Sequence, residues 1–242
     1  MKIEFAGIAA PRSGAIAVGV SKGGRLGATA QDIDKRTKGA IQRAIKASRF
    51  DGKKNQFEQI LVPSGITASR VILYGLGDPK KLGNADYEAI GSNLIGRANQ
   101  AGDAALAIAV DAEDGGSPTV AKAAASVALG ARLGSYRFDR YRTTEKKETK
   151  PSVKALTVMS DDANRARRAF APQNRVADGV VLTRDLVSEP ANVIYPETFA
   201  RKMRELTKLG VRVEVFDKSR LKRLRMRALL GVAQGSAHDP RV

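Results

Sequence analysis

The chain is 242 residues long and 43% hydrophobic, enough to bury a sizeable core as one large domain or two small ones. It contains no cysteine, which excludes disulfides, thiolate metal sites and a cysteine nucleophile, and it has no apolar run approaching the ~18 residues of a membrane span. A formal charge of +17 favours contact with polyanions, whereas 5% aromatic content without tryptophan is poor material for a base-stacking platform.

The amino terminus lacks the basic-then-apolar layout of a secretory signal, so the cytoplasm is the expected compartment. Residues 3–9 and 15–20 read as two short strands separated by Pro11 and Gly14, a hairpin-like start to a sheet. Ile33, Thr37, Ile41 and Ile45 recur at helical spacing, with Lys35, Arg36, Lys38, Arg43 and Lys46 on other faces, which predicts one amphipathic helix with a solvated side. Residues 59–63 and 70–74 then read as strands. The second ends at Gly75-Leu76-Gly77-Asp78-Pro79; with Lys80 where a dinucleotide fingerprint needs its third glycine, the pattern reads as a tight strand exit rather than a phosphate cradle.

Residues 86–100 predict a helix, 104–110 a buried alanine-rich strand and 120–133 a second, small-residue helix. Strand alternating with helix points to an α/β layer domain with parallel pairings covered on both faces. Tyr136-Arg137-Phe138-Asp139-Arg140-Tyr141-Arg142 interleaves aromatics with arginines; packing of Tyr136 and Phe138 with solvated arginines is preferred over a nucleic-acid contact. Residues 143–151 read as an exposed loop and 153–159 as a last strand. A short helix, 161–170, follows with Asp161 as its cap, and Pro172 is expected to interrupt it.

From Gln173 a second unit is expected. Val176, Val180 and Val187 share a helical face, Pro190 ends that helix, and Pro196 suits the first position of the next. Arg184, Asp185 and Glu189 lie close enough for local, structural ion pairs. Residues 196–209 form the next helix with Gly210 as its stop, 211–216 alternate as a strand, and Asp217 starts a helix through Leu221 and Leu224.

RDLVSEPANVIYPETFA, GVRVEVFDKSRL and ALLGVAQGSA, at residues 184–200, 210–221 and 228–237, resemble the entry to the catalytic domain of the leucyl aminopeptidase (cytosol aminopeptidase) family. RVILYGLGDPKKL and LGSYRFDRYRT resemble the same family's amino-terminal domain. The resemblance implies an amino-terminal α/β sandwich similar to macro domains, residues 1–160, a linker helix over 161–172, and an incomplete α/β metallopeptidase domain over 173–242. It implies a cytoplasmic, homohexameric metalloprotease that removes amino-terminal residues from peptides with two divalent ions, manganese or zinc. In that family the ions are bound within motifs such as FDSGG and NTDAEGR, and neither string occurs here. The chain is therefore expected to be truncated before the metal-binding motifs, to hold no metal and to be inactive alone. Two positions depart from the family pattern. Tyr195 stands where a capping Thr is usual, and Arg225-Met226-Arg227 replaces Gly-Met-Gly, with a cost at each arginine if the glycines adopt glycine-only angles.

No residue qualifies as catalytic, metal-binding or substrate-binding. The adjacent acidic pairs, Glu113-Asp114 and Asp161-Asp162, sit beside turn or cap signals, and a Ser236, His238, Asp239 triad would place three groups on one loose tail, with His238 solvated. The alternative function is a non-catalytic basic module that binds nucleic acid weakly and without sequence preference. Its candidate contacts are Lys222, Arg223, Arg225 and Arg227, within a 201–227 window that holds 11 Lys and Arg against 3 acids.

Overall fold

Strand β2, Ala15–Ser21, is buried along its whole length, and the sheet of the first unit grows outward from it. In the computed structural model, which describes residues 1–11, 13–112 and 118–242, the strand order is β1-β7-β6-β2-β5-β4, with the two-residue β3, Arg25–Leu26, against β2. The strands are β1 (Lys2–Ala6), β4 (Phe57–Leu61), β5 (Arg70–Gly77), β6 (Ala105–Ala109) and β7 (Ala155–Met159). Pairings are parallel from β1 through β5; β4 and β3 run antiparallel to their neighbours.

Alternation along the central strands divides the core into two layers. Ala15, Ala17, Ile72, Tyr74, Leu106, Ile108 and Val158 face helices α3 (Asn84–Gln100), α4 (Val120–Gly134) and the start of α5 (Ala163–Ser188). Ile16, Val18, Val20, Val71, Leu73 and Ala109 face α1 (Ala28–Arg36) and α2 (Ala40–Ala47). Both faces are covered, as a parallel sheet requires. Helices α3 and α4 meet through small residues: a Cβ at Gly91 would overlap the Val127 carbonyl, and one at Gly130 the Glu88 carbonyl.

Several expectations need correction. The first two strands form no hairpin: β1 lies beside β7, and β2 takes the centre because it is apolar on both faces. The single helix expected from Ile33 to Ile45 is broken into α1 and α2 at Lys38 and Gly39, whose φ values are 53° and 83°. The Asp34 carboxylate then accepts the Ile41 and Gln42 N–H groups at 2.8 and 3.1 Å, capping α2. Finally, α5 continues through Pro172, which lies on its exposed side where water can satisfy the carbonyl that loses its donor. Its cap is Asp162, not Asp161: Asp162 Oδ1 accepts the Arg165 N–H at 3.3 Å.

The chain divides into two compact units, Met1–Gly179 and Val180–Val242, so the division falls inside α5. The second unit contains α6 (Pro196–Arg204), a 3-10 turn (Glu205–Leu209), α7 (Lys218–Arg223) and α8 (Arg227–Ala233). Gly210 ends the 3-10 turn at φ 84°, as its position implies. The strand expected over residues 211–216 does not form; alternation gives a residue strand character, but a strand exists only with a neighbour to pair with. Among the described residues of this unit only Leu221 and Pro240 are buried.

Candidate functional site

The corner from α5 to α6 is closed by its own backbone. The Pro190 carbonyl accepts the N–H groups of Val193 and Ile194 at 2.9 and 3.0 Å. Pro196 takes the first helical position, where its missing N–H costs nothing, and the Tyr195 side chain makes no cap bond. Thr198 substitutes for the absent capping residue: its hydroxyl accepts the Tyr195 N–H at 3.0 Å and lies 2.7 Å from the Val193 carbonyl oxygen.

Helix α7 starts at Asp217, whose Oδ1 accepts the Arg220 N–H at 2.8 Å. It stops in a Schellman motif, with Arg225 N–H on the Lys222 carbonyl at 3.0 Å and Met226 N–H on the Leu221 carbonyl at 3.1 Å. That geometry puts Arg225 at φ 56°, the left-handed position that glycine fills without a Cβ clash. Arg227 begins α8 and carries no such strain, so the expected backbone cost applies to Arg225 alone. Lys222, Arg223, Arg225 and Arg227 are all exposed, and none of them forms an ion pair among the described residues. Their neighbours do: Lys218 reaches Asp239 at 3.0 Å and Arg220 reaches Glu214 at 3.0 Å.

The tail assembles no triad. Ser236 Oγ accepts the backbone N–H of His238 at 3.1 Å, and Asp239 is held by Lys218, whose hydrogen bond lowers the Asp239 carboxyl below its ordinary range. His238 is exposed but not simply solvated: its ring stacks on Tyr195 with centroids 4.0 Å apart.

In the first unit the carboxyl ends of the strands frame a cleft of about 390 Å³, lined by Ile8, Thr29, Asp32, Arg36, Asp111 and Asp161 among others. Asp111 lies two residues past the end of β6; one carboxylate oxygen accepts the Thr29 N–H at 3.0 Å and the other the Thr29 hydroxyl. It thereby caps α1, so that helix start is already occupied by an internal anion and offers no phosphate seat. The sequence reading missed Asp32 and Asp111; an aspartate directly after a buried strand and before a loop was the available signal. Glu113-Asp114 lies outside the described residues. The Gly75-Leu76-Gly77 exit is filled as well: Gly77 N–H donates to Gly52 at 2.7 Å, and Asp78 caps the 3-10 turn Pro79–Lys81. In the aromatic-arginine string, Arg137 pairs with Glu145, and the Phe138 and Tyr141 rings meet edge to face. Among the described residues, no three His, Asp or Glu side chains converge to hold a metal ion, so those residues do not fit a di-metal centre.

The architecture is an α/β sheet unit followed by a unit whose described elements are short helices and a 3-10 turn. Two family descriptions match it: "Cytosol aminopeptidase family, N-terminal domain" over residues 17–145, and "Cytosol aminopeptidase family, catalytic domain" over residues 181–242. The chain belongs to the cytosol aminopeptidase family. It is 37% identical over 242 residues to a probable cytosol aminopeptidase of Rhodopseudomonas palustris, covering 100% of this chain and 48% of that protein. A relative in Caulobacter vibrioides is 37% identical over 241 residues, 99% of this chain and 48% of its own length. The chain thus spans about half the length of these curated relatives. Among solved structures, a mutant of tomato leucine aminopeptidase superposes with a TM-score of 0.86 at 23% identity, over 100% of this chain and 49% of that one, and shares the fold. The bottromycin maturation enzyme BotP in complex with Mn gives 0.70 at 26% identity, over 94% of this chain and 43% of that one. No helix among the described residues is long and apolar enough to cross a membrane.

Proposed function

We propose that these 242 residues form the amino-terminal domain and the opening of the catalytic domain of a leucyl-type metallo-aminopeptidase, which in its complete form removes amino-terminal residues from peptides in the cytoplasm. The observation that carries this reading is the catalytic-domain match beginning at residue 181, continuous with an alignment over the whole chain. On this reading the first unit is the amino-terminal domain, 161–172 opens the connecting helix, and the peptidase part begins after it. Two divalent ions, manganese or zinc, would polarise the scissile carbonyl and activate water. The described residues do not fit them, so the ligands are assigned to the part of the complete enzyme that the relatives carry beyond the aligned half, and the complete enzyme to a homohexamer.

The test is hydrolysis of leucine amide with added manganese or zinc. The 242-residue chain should show no turnover above host contamination, and the same chain joined to the remaining half of the Caulobacter vibrioides relative should show metal-dependent turnover. Metal-dependent turnover by the short chain, or none by the joined one, would overturn the reading.

A second reading rests on four exposed cations, Lys222 and Arg223 in α7, Arg225 beyond its end and Arg227 at the start of α8, that form no ion pair among the described residues: weak, sequence-indifferent binding of nucleic acid through phosphate contacts. A random duplex should then bind with a dissociation constant on the order of 10⁻⁴ to 10⁻⁶ M at physiological salt, weakening steeply as salt rises. Changing Lys222, Arg223, Arg225 and Arg227 to Ser should abolish it; salt-insensitive binding, or an unaffected variant, defeats this reading.

A further inference from the structure

The edge of the first unit's sheet holds a second cavity, of about 320 Å³, between strand β4 and the last turn of α3. Phe57 and Ile72 give it an apolar floor, and Glu58, Gln59, Arg70 and Arg97 supply its polar groups. Pairing of Gln59 with Ile72 and of Phe57 with Tyr74 puts these side chains on the face that α3 covers. The Arg97 guanidinium sits over the Phe57 ring, 4.1 Å from its centroid, a contact that holds the group in place without neutralising it.

The polar groups are not equivalent. Arg70 is fully engaged: Nε meets Asp103 at 3.0 Å, Nη1 donates to Gln59 Oε1 at 3.0 Å and Nη2 to the Ala101 carbonyl at 3.5 Å. Because a guanidinium only donates, Gln59 must give Arg70 its oxygen, and its NH₂ group then has no partner among the described residues. Asp103 neutralises Arg70, which leaves Arg97 and Glu58 as the two uncompensated charges of the lining. They form no ion pair with each other or with any other described residue. One carboxylate oxygen of Glu58 accepts the Gln59 backbone N–H at 2.9 Å, and the other has no partner among the described residues.

We infer that this cavity binds a small zwitterion, an α-amino acid with an apolar side chain. Arg97 and the Gln59 NH₂ group are donors suited to its carboxylate, the free oxygen of Glu58 is an acceptor suited to its ammonium group, and Phe57 and Ile72 receive the side chain. A simple anion would meet Glu58 as a like charge, and a simple cation would meet Arg97 in the same way. Only a molecule that carries both signs satisfies both groups. The site lies wholly within the first unit and depends on no step of the proposed reaction, although an aminopeptidase releases molecules of this class.

Titration of L-leucine into the 242-residue chain, followed by nuclear magnetic resonance at the Gln59 side-chain amide and the Arg97 Nε–H, reads this binding without any turnover. Leucine should shift both signals saturably, with a Kd on the order of 1 mM. Isocaproate, which lacks the ammonium group, and isoamylamine, which lacks the carboxylate, should each bind at least about 10-fold more weakly. Glu58→Gln should remove leucine's advantage over isocaproate, and Arg97→Gln its advantage over isoamylamine. The Glu58 side chain bonds only to the backbone N–H beside it, so Glu58→Gln keeps the fold and decides the matter even if Arg97→Gln, which loses the contact with Phe57, does not fold. Equal binding of leucine and isocaproate by the parent chain would make this a plain anion site and overturn the inference. So would the absence of a saturable shift, or a Glu58→Gln variant that still prefers leucine.

Discussion

Arg225 occupies a position that rewards glycine. Its φ of 56° is imposed by the Schellman bonds that stop α7, and an L-residue there costs about 1 kcal/mol relative to glycine. Arg225→Gly should therefore slow proteolysis between α7 and α8 about five-fold, while Arg225→Ala, which keeps the Cβ, should leave the rate close to the parent's. Equal rates for Gly and Ala would show that the backbone angle carries no cost. The residue scale was partly legible: the arginines stood out against the family's Gly-Met-Gly, but which of them took the left-handed angle depends on where α7 stops. A second residue with a definite prediction is Asp178, whose carboxyl is held below its ordinary range first by the hydrogen bond from Arg132, at 2.5 Å. A depressed carboxyl contributes stability above its unfolded value of about 3.9 that is lost as pH falls through the folded value. Asp178→Asn should lower the melting temperature at pH 7, and the gap from the parent should close as pH falls below about 4; a gap that persists at pH 2 refutes the ion pair's role.

At the scale of elements, α3 and α4 are joined backbone to backbone through Gly91 and Gly130, where a methyl group has no room. Gly130→Ala should destabilise the first unit by roughly 1–3 kcal/mol, read from urea unfolding, even though alanine is the better helix former. A neutral or stabilising result would mean the helices can move apart freely. The same elements show what periodicity delivers. The apolar spacing of Ile90, Leu94 and Ala98 and the small-residue run of 120–133 predicted α3 and α4 within a few residues. Partner choice was not written there: the pattern of β1 is the same whether it pairs with β2 or, as it does, with β7. Pro172 misled because a proline's cost depends on whether water reaches the carbonyl it frees, and burial is settled only in three dimensions.

For the whole molecule, the imbalance between the units is the governing fact. The first has two buried layers over a sheet; in the second, Leu221 and Pro240 are the buried residues among those described. Limited proteolysis at 25 °C should therefore cut beyond Ser188 first and leave a resistant fragment that retains β1 through β7. A first cut at residues 143–150, the exposed loop the sequence suggested, with the second unit still whole, would reverse that ranking. The family assignment was legible from strings that span both units, because those strings encode corners and strand exits. The site was less legible, because its residues are carried by no string the sequence spells out; among the described residues no three His, Asp or Glu side chains converge where a metal ion could sit.

The placement of β1 beside β7 has a consequence for how the protein is made. Lys2 pairs with Ala155, so β1 finds its partner only after some 150 further residues have been made. At about 5–20 residues per second, that is a wait of roughly 8 to 30 s. Meanwhile β2, β5 and β6 can already assemble with their helices, so the growing chain carries β1 idle and a sheet that is open at β6. Anything that binds residues 2–6 in that interval competes with β7 for the edge strand of the sheet.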